Sequence, residues 1–314
     1  MRRFVRHVTT VSSCVALAVL SVPVPAGATP AGTRAGVFPS LVPDLVAYYD
    51  FEHPVRGNPA LERDLGHSGT DMPLVNGGAG MRVRERGGHV IQTRQIDPTV
   101  AGNDDWKAGM FSAGGLPSLR AFNAAREATV MGWFTVTGPL PALNSTTPAP
   151  DDRYNAIGLA GVLTGDSDGH AVRALLEVID VAGELRVVAL GRRVDGASSQ
   201  TFAASMDWQS VLPRGRWVHL AATFDFDTGE MALYRNGRPL DGFYTVPGDP
   251  WVVEGPPEPD VTTASDPAGI KIGGSFPQNT NERNPCDCRM DGLMFLDRAA
   301  SPREVWLQYL VSRR

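Results

Sequence analysis

The chain has 314 residues, 42% of them hydrophobic, and its 34 acidic against 29 basic side chains give a formal net charge of −5. Proteins that bind nucleic acid or anionic membranes usually carry a positively charged surface. This chain has an excess of acidic residues, so neither is expected as a partner. The length accommodates one β-sandwich domain with long loops, preceded by a targeting segment.

The first 28 residues have the three parts of an export signal. Three arginines precede an apolar run over 8–22, and Ala26-Gly27-Ala28 is a small-residue cleavage site. The run is too short and too rich in Ser and Thr for a membrane anchor, which needs roughly 20 apolar residues. We predict a secreted protein that begins at Thr29 with a net charge of −8 and no membrane span. Residues 29–43, rich in Pro, Gly and Ala, are predicted to be a flexible leader.

The remaining chain alternates short apolar segments with loops rich in Gly, Pro and Asp. A helix start is predicted at Ser301-Pro302-Arg303-Glu304, with Ser at the N-cap, Pro at N1 and Glu at N3. The helix is expected to run to about Tyr309 and to place Trp306 against the sheet. The predicted strands are 45–52, 81–84, 88–92, 128–136, 156–163, 172–180, 184–191, 199–204, 216–224, 230–235, 269–273 and 289–296.

The clearest local pattern is an antiparallel meander over 214–240. A strand of bulky, apolar residues ends at Phe224 and is followed by a turn rich in Asp and Gly. In the next strand the side chains alternate with a period of two, so that it has two distinct faces. Asn236-Gly237 then predicts a type I′ hairpin turn. Trp217 and Leu233 are expected in the core of the fold.

This meander resembles the W-x-H-[VL]-A-x-[TV]-[YF]-D-x-x-x-G-x-x-x-L-Y-x-N-G-x-x-[LV] core of the laminin-G-like, concanavalin A-like jelly-roll family. Segments 45–52 with 63–69, and 269–274 with 290–301, are similar to the opening and closing strands of that family. The resemblance covers residues 44–312. It implies an all-β fold, an antiparallel two-sheet jelly-roll sandwich with a short C-terminal helix. The matching residues of the meander are Trp217, His219, Leu220, Ala221, Thr223, Phe224, Asp225, Gly229, Leu233, Tyr234, Asn236, Gly237 and Leu240.

The same resemblance implies a structural calcium ion. Many relatives hold Ca²⁺ between the first strand, a D-x-S-G-type loop and the penultimate strand, where this chain has Glu52, Asp64 and Asp291. Calcium needs several oxygen ligands, which carboxylates supply. The alternative is that the three are ordinary surface acids at loop ends. Gly292 stands where the family often has a second acid.

Two cysteines remain after the export signal, Cys286 and Cys288. In an exported chain an even count favours a disulfide, here a local one that closes a very small ring. Free thiols are the second interpretation. A zinc site is the third, because one C-x-C pair offers too few ligands.

A catalytic site is weakly indicated. Glycosidases on related sandwiches place paired acids on one strand, and the nearest candidates here are Glu177, Asp180 and Glu184. Glu177 and Asp180 are three apart and should face opposite sides of a strand, and Glu184 follows an Ala-Gly turn. Asp166-Ser-Asp-Gly169 is interpreted as an ordinary polar turn, and His219 is expected to be structural.

Three tryptophans in polar loops, Trp106, Trp208 and Trp251, are predicted to stack on sugar rings, although each could instead cap an edge of the sandwich. Trp133, Trp217 and Trp306 lie in apolar segments and are expected in the core. We therefore predict a secreted, non-catalytic domain that binds a carbohydrate or cell-surface glycoconjugate. The alternatives are a glycoside hydrolase or polysaccharide lyase on the same scaffold, and a protein-binding adhesion domain.

Overall fold

Antiparallel strands make up most of the described chain. The strands are β1 (Leu45–Tyr49), β2 (Pro54–Val55), β3 (Asn58–Glu62), β4 (Met72–Val75), β5 (Arg82–Glu85), β6 (Gly88–Gln92), β7 (Lys107–Phe111), β8 (Glu127–Val136), β9 (Ile157–Leu163), β10 (Val172–Val181), β11 (Glu184–Arg192), β12 (Ser199–Ala204), β13 (Val218–Asp225), β14 (Met231–Arg235), β15 (Arg238–Pro239), β16 (Gly242–Tyr244), β17 (Gly269–Ile272) and β18 (Cys288–Leu296). The computed structural model describes residues 36–97, 103–138, 156–167, 171–194, 199–245, 265–278 and 284–313.

The helices of the described residues are short. None of them has the length and apolar character needed to cross a membrane. The α-helices are α1 (Ala121–Ala124), α2 (Trp208–Val211) and α3 (Pro302–Ser312), and the 3-10 helices are Pro39–Asp44, Gly78–Met81 and Pro117–Leu119.

The strands form two antiparallel sheets. The smaller sheet has the order β15-β14-β13-β8-β18-β6-β5, and β1 also pairs with β18. The larger sheet has the order β16-β12-β11-β10-β9-β17-β7-β4-β3-β2. Strands distant in sequence are neighbours in both sheets, as in β8 beside β18. The fold is a two-sheet jelly-roll β-sandwich with a short C-terminal helix, as the sequence predicts.

The main core lies between the two sheets, and strand alternation decides which side chains enter it. In β10, Leu176 and Val178 belong to this core, whereas Glu177 between them points to the opposite face of the larger sheet. Leu233 of β14 is also in the core and is 1% exposed, which confirms its predicted place.

Trp217 corrects the predicted register at the start of β13. Val218 and Leu220 enter the core, so Trp217 has the parity of the outer face of the smaller sheet. It is half-buried there and does not belong to the core cluster. The expectation of an interior Trp217 is therefore wrong.

The turn after β14 is the predicted one. Asn236 and Gly237 both have positive φ, 50° and 77°, which is the requirement of a type I′ turn. Gly237 is needed for space as well, because a Cβ there would lie 2.8 Å from the indole ring of Trp306.

The C-terminal helix covers the outer face of the smaller sheet. It begins with the predicted capping box, in which Ser301 accepts from the Glu304 backbone and Glu304 accepts from the Ser301 backbone. Val305 and Gln308 are buried against this face. Trp306 packs over the β14–β15 turn of the sheet but is 37% exposed, so its predicted place in the core is wrong. On a helix, residues one position apart do not share a face, and Val305 takes the buried position.

The two remaining cysteines are joined. Cys286 and Cys288 form a disulfide with their Cα atoms 5.2 Å apart, and both side chains are buried. The carbonyl of Cys286 accepts a hydrogen bond from the hydroxyl of Thr93 at 2.6 Å, which fastens the start of β18 beside the end of β6.

Candidate ligand-binding cleft

An open cleft lies at one edge of the sandwich, where a loop after β1 approaches the β5–β6 hairpin. β5 is the edge strand of the smaller sheet and β2 is the edge strand of the larger sheet. An ion pair joins β5 to β3, the strand next to β2, with Arg82 Nη2 2.5 Å from Glu62 Oε2. The cleft has a volume of about 670 Å³. Its lining residues are Asp50, Glu52, His53, Arg84, Glu85, Gly87, Gly88 and His89.

One wall of the cleft is a tight turn that brings a carboxylate to an imidazole. Phe51 is fully buried and has a φ of 59°, which is rare for a bulky residue. This turn lets Asp50 Oδ1 accept from the backbone N–H of Glu52 at 3.1 Å and from Nδ1 of His53 at 2.9 Å. A carboxylate only accepts, so we assign the hydrogen to Nδ1 of His53, and Nε2 of the neutral ring carries the lone pair.

The opposite wall repeats the same arrangement. Glu52 Oε1 accepts from the backbone N–H of His89 at 2.6 Å, and Oε2 accepts from its Nδ1 at 2.9 Å. Glu52 therefore links the loop after β1 to the β5–β6 hairpin. The cleft thus has two imidazole–carboxylate pairs, Asp50–His53 and Glu52–His89. In each pair the hydrogen bond at Nδ1 fixes the orientation of the imidazole ring.

Glu85 is held from two sides. Its Oε1 accepts from the indole N–H of Trp217 at 2.9 Å, and its Oε2 accepts from Arg289 Nη1 at 2.5 Å. Arg289 is itself positioned by Gln92, whose Oε1 accepts from Nε at 2.8 Å. Arg84, on the same hairpin, is exposed to solvent. The cleft therefore presents both a fixed carboxylate and an accessible guanidinium.

The hairpin is anchored behind the cleft by Arg86. Its guanidinium carbon lies 3.9 Å from the ring centre of Trp133 and 5.1 Å from that of Trp217. Nε donates to Asp291 Oδ2 at 3.2 Å, and Nη2 donates to the carbonyl of Ser312 at 3.1 Å. Cation–π contacts between buried groups stabilise by about 2 kcal/mol or more. Arg86 thus fixes the wall that carries Arg84, Glu85 and His89.

The three acids of the predicted calcium site have separate partners. Glu52 pairs with His89, and Asp291 with Arg86. Asp64 accepts four hydrogen bonds within its own region, from the backbone of Tyr48, Gly66 and Thr70 and from the hydroxyl of Ser68.

The oxygens of these three acids do not all lie within 4.8 Å of one another. Ligands of one Ca²⁺, at about 2.3–2.6 Å from the ion, can be only about 5 Å apart. The structure therefore does not bring Glu52, Asp64 and Asp291 together as one ligand set, and a calcium ion on this chain stays a prediction.

Of the predicted sugar-stacking tryptophans, the two that the structure describes, Trp106 and Trp208, do not line the cleft. Trp106 is half-buried against the core, with the guanidinium of Arg94 5.0 Å from its ring centre. Trp208 is 6% exposed, because α2, capped by Asp207, turns its ring into the core. The expectation of an exposed Trp208 is therefore wrong. Trp251 lies outside the described residues.

The three predicted candidate acids are separated, as their spacing indicates. Glu177 is fully buried, 3.9 Å from Lys271 Nζ, and burial raises its pKa. Asp180 accepts from the Gly183 backbone in the β10–β11 turn, and Glu184 is an exposed partner of Arg186.

His219, expected to be structural, is buried beside the rings of Trp133 and Tyr309. Burial, with the charge of Arg86, lowers the pKa of His219 to about 3. The imidazole is therefore neutral at ordinary pH, in keeping with a packing role.

Of the cleft residues, the sequence singled out Glu52 and assigned it a different role. The available signals were weak. Asp50, Glu52 and His53 crowd three titratable groups into four positions, and Gly87-Gly88 precedes His89 at a hairpin turn. Neither segment identifies the other as its neighbour.

Comparison with known proteins gives information on the fold and not on the site. No family model and no curated protein matches this sequence. Solved structures similar to it include Trypanosoma rangeli sialidase in complex with the inhibitor DANA, at 17% identity over 89% of this chain and 36% of that chain, with a TM-score of 0.47. Another is the botulinum neurotoxin serotype D ligand binding domain in complex with N-acetylneuraminic acid, at 9% identity over 88% and 52%, with a TM-score of 0.48.

A mutant of HCR/D has 11% identity over 86% of this chain and 52% of that chain, with a TM-score of 0.51. This chain therefore spans about a third to a half of the length of the solved structures that it matches. At such low identity the likeness concerns the sandwich fold alone.

Proposed function

We propose that this chain is an exported protein that binds a carbohydrate or glycoconjugate in the cleft between the loop after β1 and the β5–β6 hairpin, without cutting it. The observation that supports the proposal is the lining of the cleft. Carboxylates, imidazoles and a guanidinium converge on one open space and are held by hydrogen bonds among themselves and to neighbouring strands.

The chemistry of the lining suits sugar hydroxyls, which both donate and accept. Asp50, Glu52 and Glu85 supply acceptor oxygens, and Arg84 supplies planar donors. Hydrogen bonds to charged groups are roughly twice as strong as those between neutral groups. Because Glu52 and Glu85 are already fixed by their partners, little side-chain freedom is lost on binding.

The dimensions suit a ligand of one or a few sugar rings. A volume of about 670 Å³ lies within the range of small-molecule sites, roughly 300–1,000 Å³. The cleft is open to solvent, so water competes for the same polar groups. We therefore expect weak binding by single sugars and stronger binding when several sites engage a multivalent glycan.

An enzyme on this scaffold is the second candidate, and one observation favours it. Each of the two imidazoles is oriented by a carboxylate, as the general bases of hydrolases are. Among the described lining residues none is Ser, Thr or Cys. The carboxylates there accept hydrogen bonds from protein donors, which suits positioning better than proton transfer.

The test is a glycan array probed with the mature protein and with single variants. Arg84→Ala and Glu85→Gln should each weaken binding by about tenfold, the effect of roughly 1.4 kcal/mol, while both variants stay folded. Arg303→Ala, an exposed arginine of α3 outside the lining, is the matched control and should bind normally. The array should include N-acetylneuraminic acid and neutral sugars.

Two outcomes would count against this function. Binding that is equal in the wild type, Arg84→Ala and Glu85→Gln would place the ligand elsewhere. Release of reducing sugar from a polysaccharide panel, lost in Glu85→Gln, would make the protein a hydrolase rather than a binding domain.

A further inference from the structure

Three metal-ligating side chains meet at the edge of the cleft. Among the residues that the structure describes, Asp50, His53 and Glu62 form the one group of three whose ligand atoms all lie within 4.8 Å of one another. Asp50 and His53 come from the turn after β1, and Glu62 ends β3. Because Glu62 comes from a separate strand, the cluster depends on the tertiary fold and would not exist in the unfolded chain.

We propose that this group binds a divalent transition-metal ion of the zinc class. One imidazole nitrogen and two carboxylate oxygens are a ligand set used by zinc and are suited to copper and nickel as well. Calcium and magnesium prefer oxygen ligands only and in larger number. The mixed set therefore selects the transition metals.

The burial of the three groups supports an open site rather than a closed structural one. Asp50 is 6% exposed and Glu62 is fully buried, whereas the side chain of His53 is 49% exposed. Two carboxylates form the floor, and the imidazole stands at the cleft. Since the protein supplies three ligands, the fourth position of a tetrahedral ion is left for water or a ligand in the cleft.

The surroundings of Glu62 are those of an oriented metal ligand. Arg82 donates to Glu62 Oε2 through Nη2 at 2.5 Å and through Nε at 3.2 Å. Arg82 Nη2 also donates to the carbonyl of Leu61 at 3.0 Å. Oε1 lies on the other side and accepts from the backbone N–H of His53 at 2.9 Å. Arg82 thus fixes Oε2 of Glu62, and Oε1 points towards His53. Hydrogen bonds from residues around a metal site orient its ligands in the same way.

Loading the ion requires one proton to leave the 2.9 Å hydrogen bond between Asp50 Oδ1 and Nδ1 of His53. If the metal is bound through Nδ1, the ring proton moves from Nδ1 to Nε2, and the hydrogen bond is replaced by two metal bonds. Phe51, whose φ of 59° creates the turn, holds these two ligands together before the ion arrives.

The experiment measures metal binding on the full mature chain after treatment with a chelator, without any glycan. Titration with ZnCl₂ by calorimetry should show one ion bound per chain, and Co²⁺ should give the visible absorption of a four-coordinate site. His53→Ala, which removes an exposed side chain, should weaken binding at least about tenfold, the lower end of what perturbing a metal site costs. Asp50→Asn should do the same.

His67→Ala is the matched control, since His67 is also exposed but its Nε2 lies against the carbonyl of Val42 at 2.7 Å. It should bind zinc like the wild type, and circular dichroism should show that all variants are folded. The site is disproved if zinc is not taken up, if His53→Ala binds as well as the wild type, or if Ca²⁺ binds in preference to Zn²⁺. These outcomes leave the glycan proposal intact, because its variants, Arg84→Ala and Glu85→Gln, touch none of the three ligands.

Discussion

Arg298 holds both carboxylate oxygens of Glu304: Nη1 donates to Oε2 at 2.9 Å and Nη2 donates to Oε1 at 2.7 Å. The same guanidinium reaches Asp44 through Nε at 2.5 Å. Glu304 also completes the capping box of α3 with Ser301. One residue pair therefore ties the end of β18 to the first 3-10 helix and to the C-terminal helix.

Glu304→Gln should destabilise the protein in a pH-dependent way. The hydrogen bonds from Arg298 lower the pKa of Glu304 from 4.5 to about 2. A lowered pKa adds stability above pH 4.5 that is lost as the pH falls towards 2. Urea unfolding at pH 7 should show a loss of about 1–3 kcal/mol after allowance for partial exposure. The difference from the wild type should shrink towards zero near pH 2.

Glu184→Gln is the control for this pair, because Glu184 is 68% exposed beside Arg186. An exposed ion pair adds about 0–1 kcal/mol, so its loss should be small at every pH. A Glu304→Gln deficit that is equally large at pH 2 and pH 7 would contradict the role given to Arg298.

Asp105 should produce the opposite pH dependence. It is 1% exposed, its Oδ2 has no hydrogen-bond partner, and burial raises its pKa from 3.8 to about 7. A raised pKa means that the folded state binds the proton more tightly, so stability is lost as the pH rises from about 4 to 7. Asp105→Asn removes the charge and should flatten this decline, which we expect to be roughly 2–4 kcal/mol.

The measurement is urea unfolding of the wild type and Asp105→Asn at pH 4, 5.5 and 7.5, with Asp241→Asn, an exposed acid, as the control. As the pH rises, the free energy of unfolding of the wild type should drop below that of Asp105→Asn. The free energy of Asp241→Asn should change with pH in the same way as that of the wild type. Parallel curves for the wild type and Asp105→Asn would show that this carboxyl is not the buried group described here.

Leu233→Ala and Trp217→Ala should separate the core from the outer face of the smaller sheet. Leu233 is 1% exposed in the core, so its truncation should cost about 2–5 kcal/mol. Trp217 is half-buried, and losing its bond to Glu85 and its contact with Arg86 should cost about 1–2 kcal/mol. Equilibrium unfolding decides the order. A larger loss for Trp217→Ala would overturn the register of β13.

Export is predicted by the first 28 residues, which lie outside the described part of the chain. The secreted protein should begin at Thr29, because signal cleavage follows Ala26-Gly27-Ala28. N-terminal sequencing of protein from the culture medium is the measurement. An uncut Met1 on a membrane-bound form would contradict the prediction.

The longest strands of the structure were all predicted from the sequence. β8, β10, β13 and β18 have eight to ten residues each, and their alternation or apolar character is visible without the structure. The strands that were not predicted are short and contain Pro or Gly, as in Pro54–Val55 and Arg238–Pro239. Such strands exist because a neighbouring strand offers its free edge, which is a tertiary property.

The cleft was not predictable for a related reason. Glu52 and His89 are 37 residues apart, and no local rule requires a loop after β1 to meet the β5–β6 hairpin. The tryptophans show the same limit. Trp208 lies in a polar segment but is turned into the core by a four-residue helix, whereas Trp306 lies in an apolar helix and is exposed. Local polarity therefore does not determine the exposure of a large side chain.

The central claim is that a glycan binds in the cleft, and amide chemical-shift mapping tests it most directly. Titration of ¹⁵N-labelled mature protein with the best glycan from the array should shift the backbone signals of residues 50–53 and 84–89. Saturating shifts confined to those two segments are the predicted result. Shifts that leave both segments unchanged and fall instead around Trp106, or on the outer face of the larger sheet near Glu177, would contradict the account.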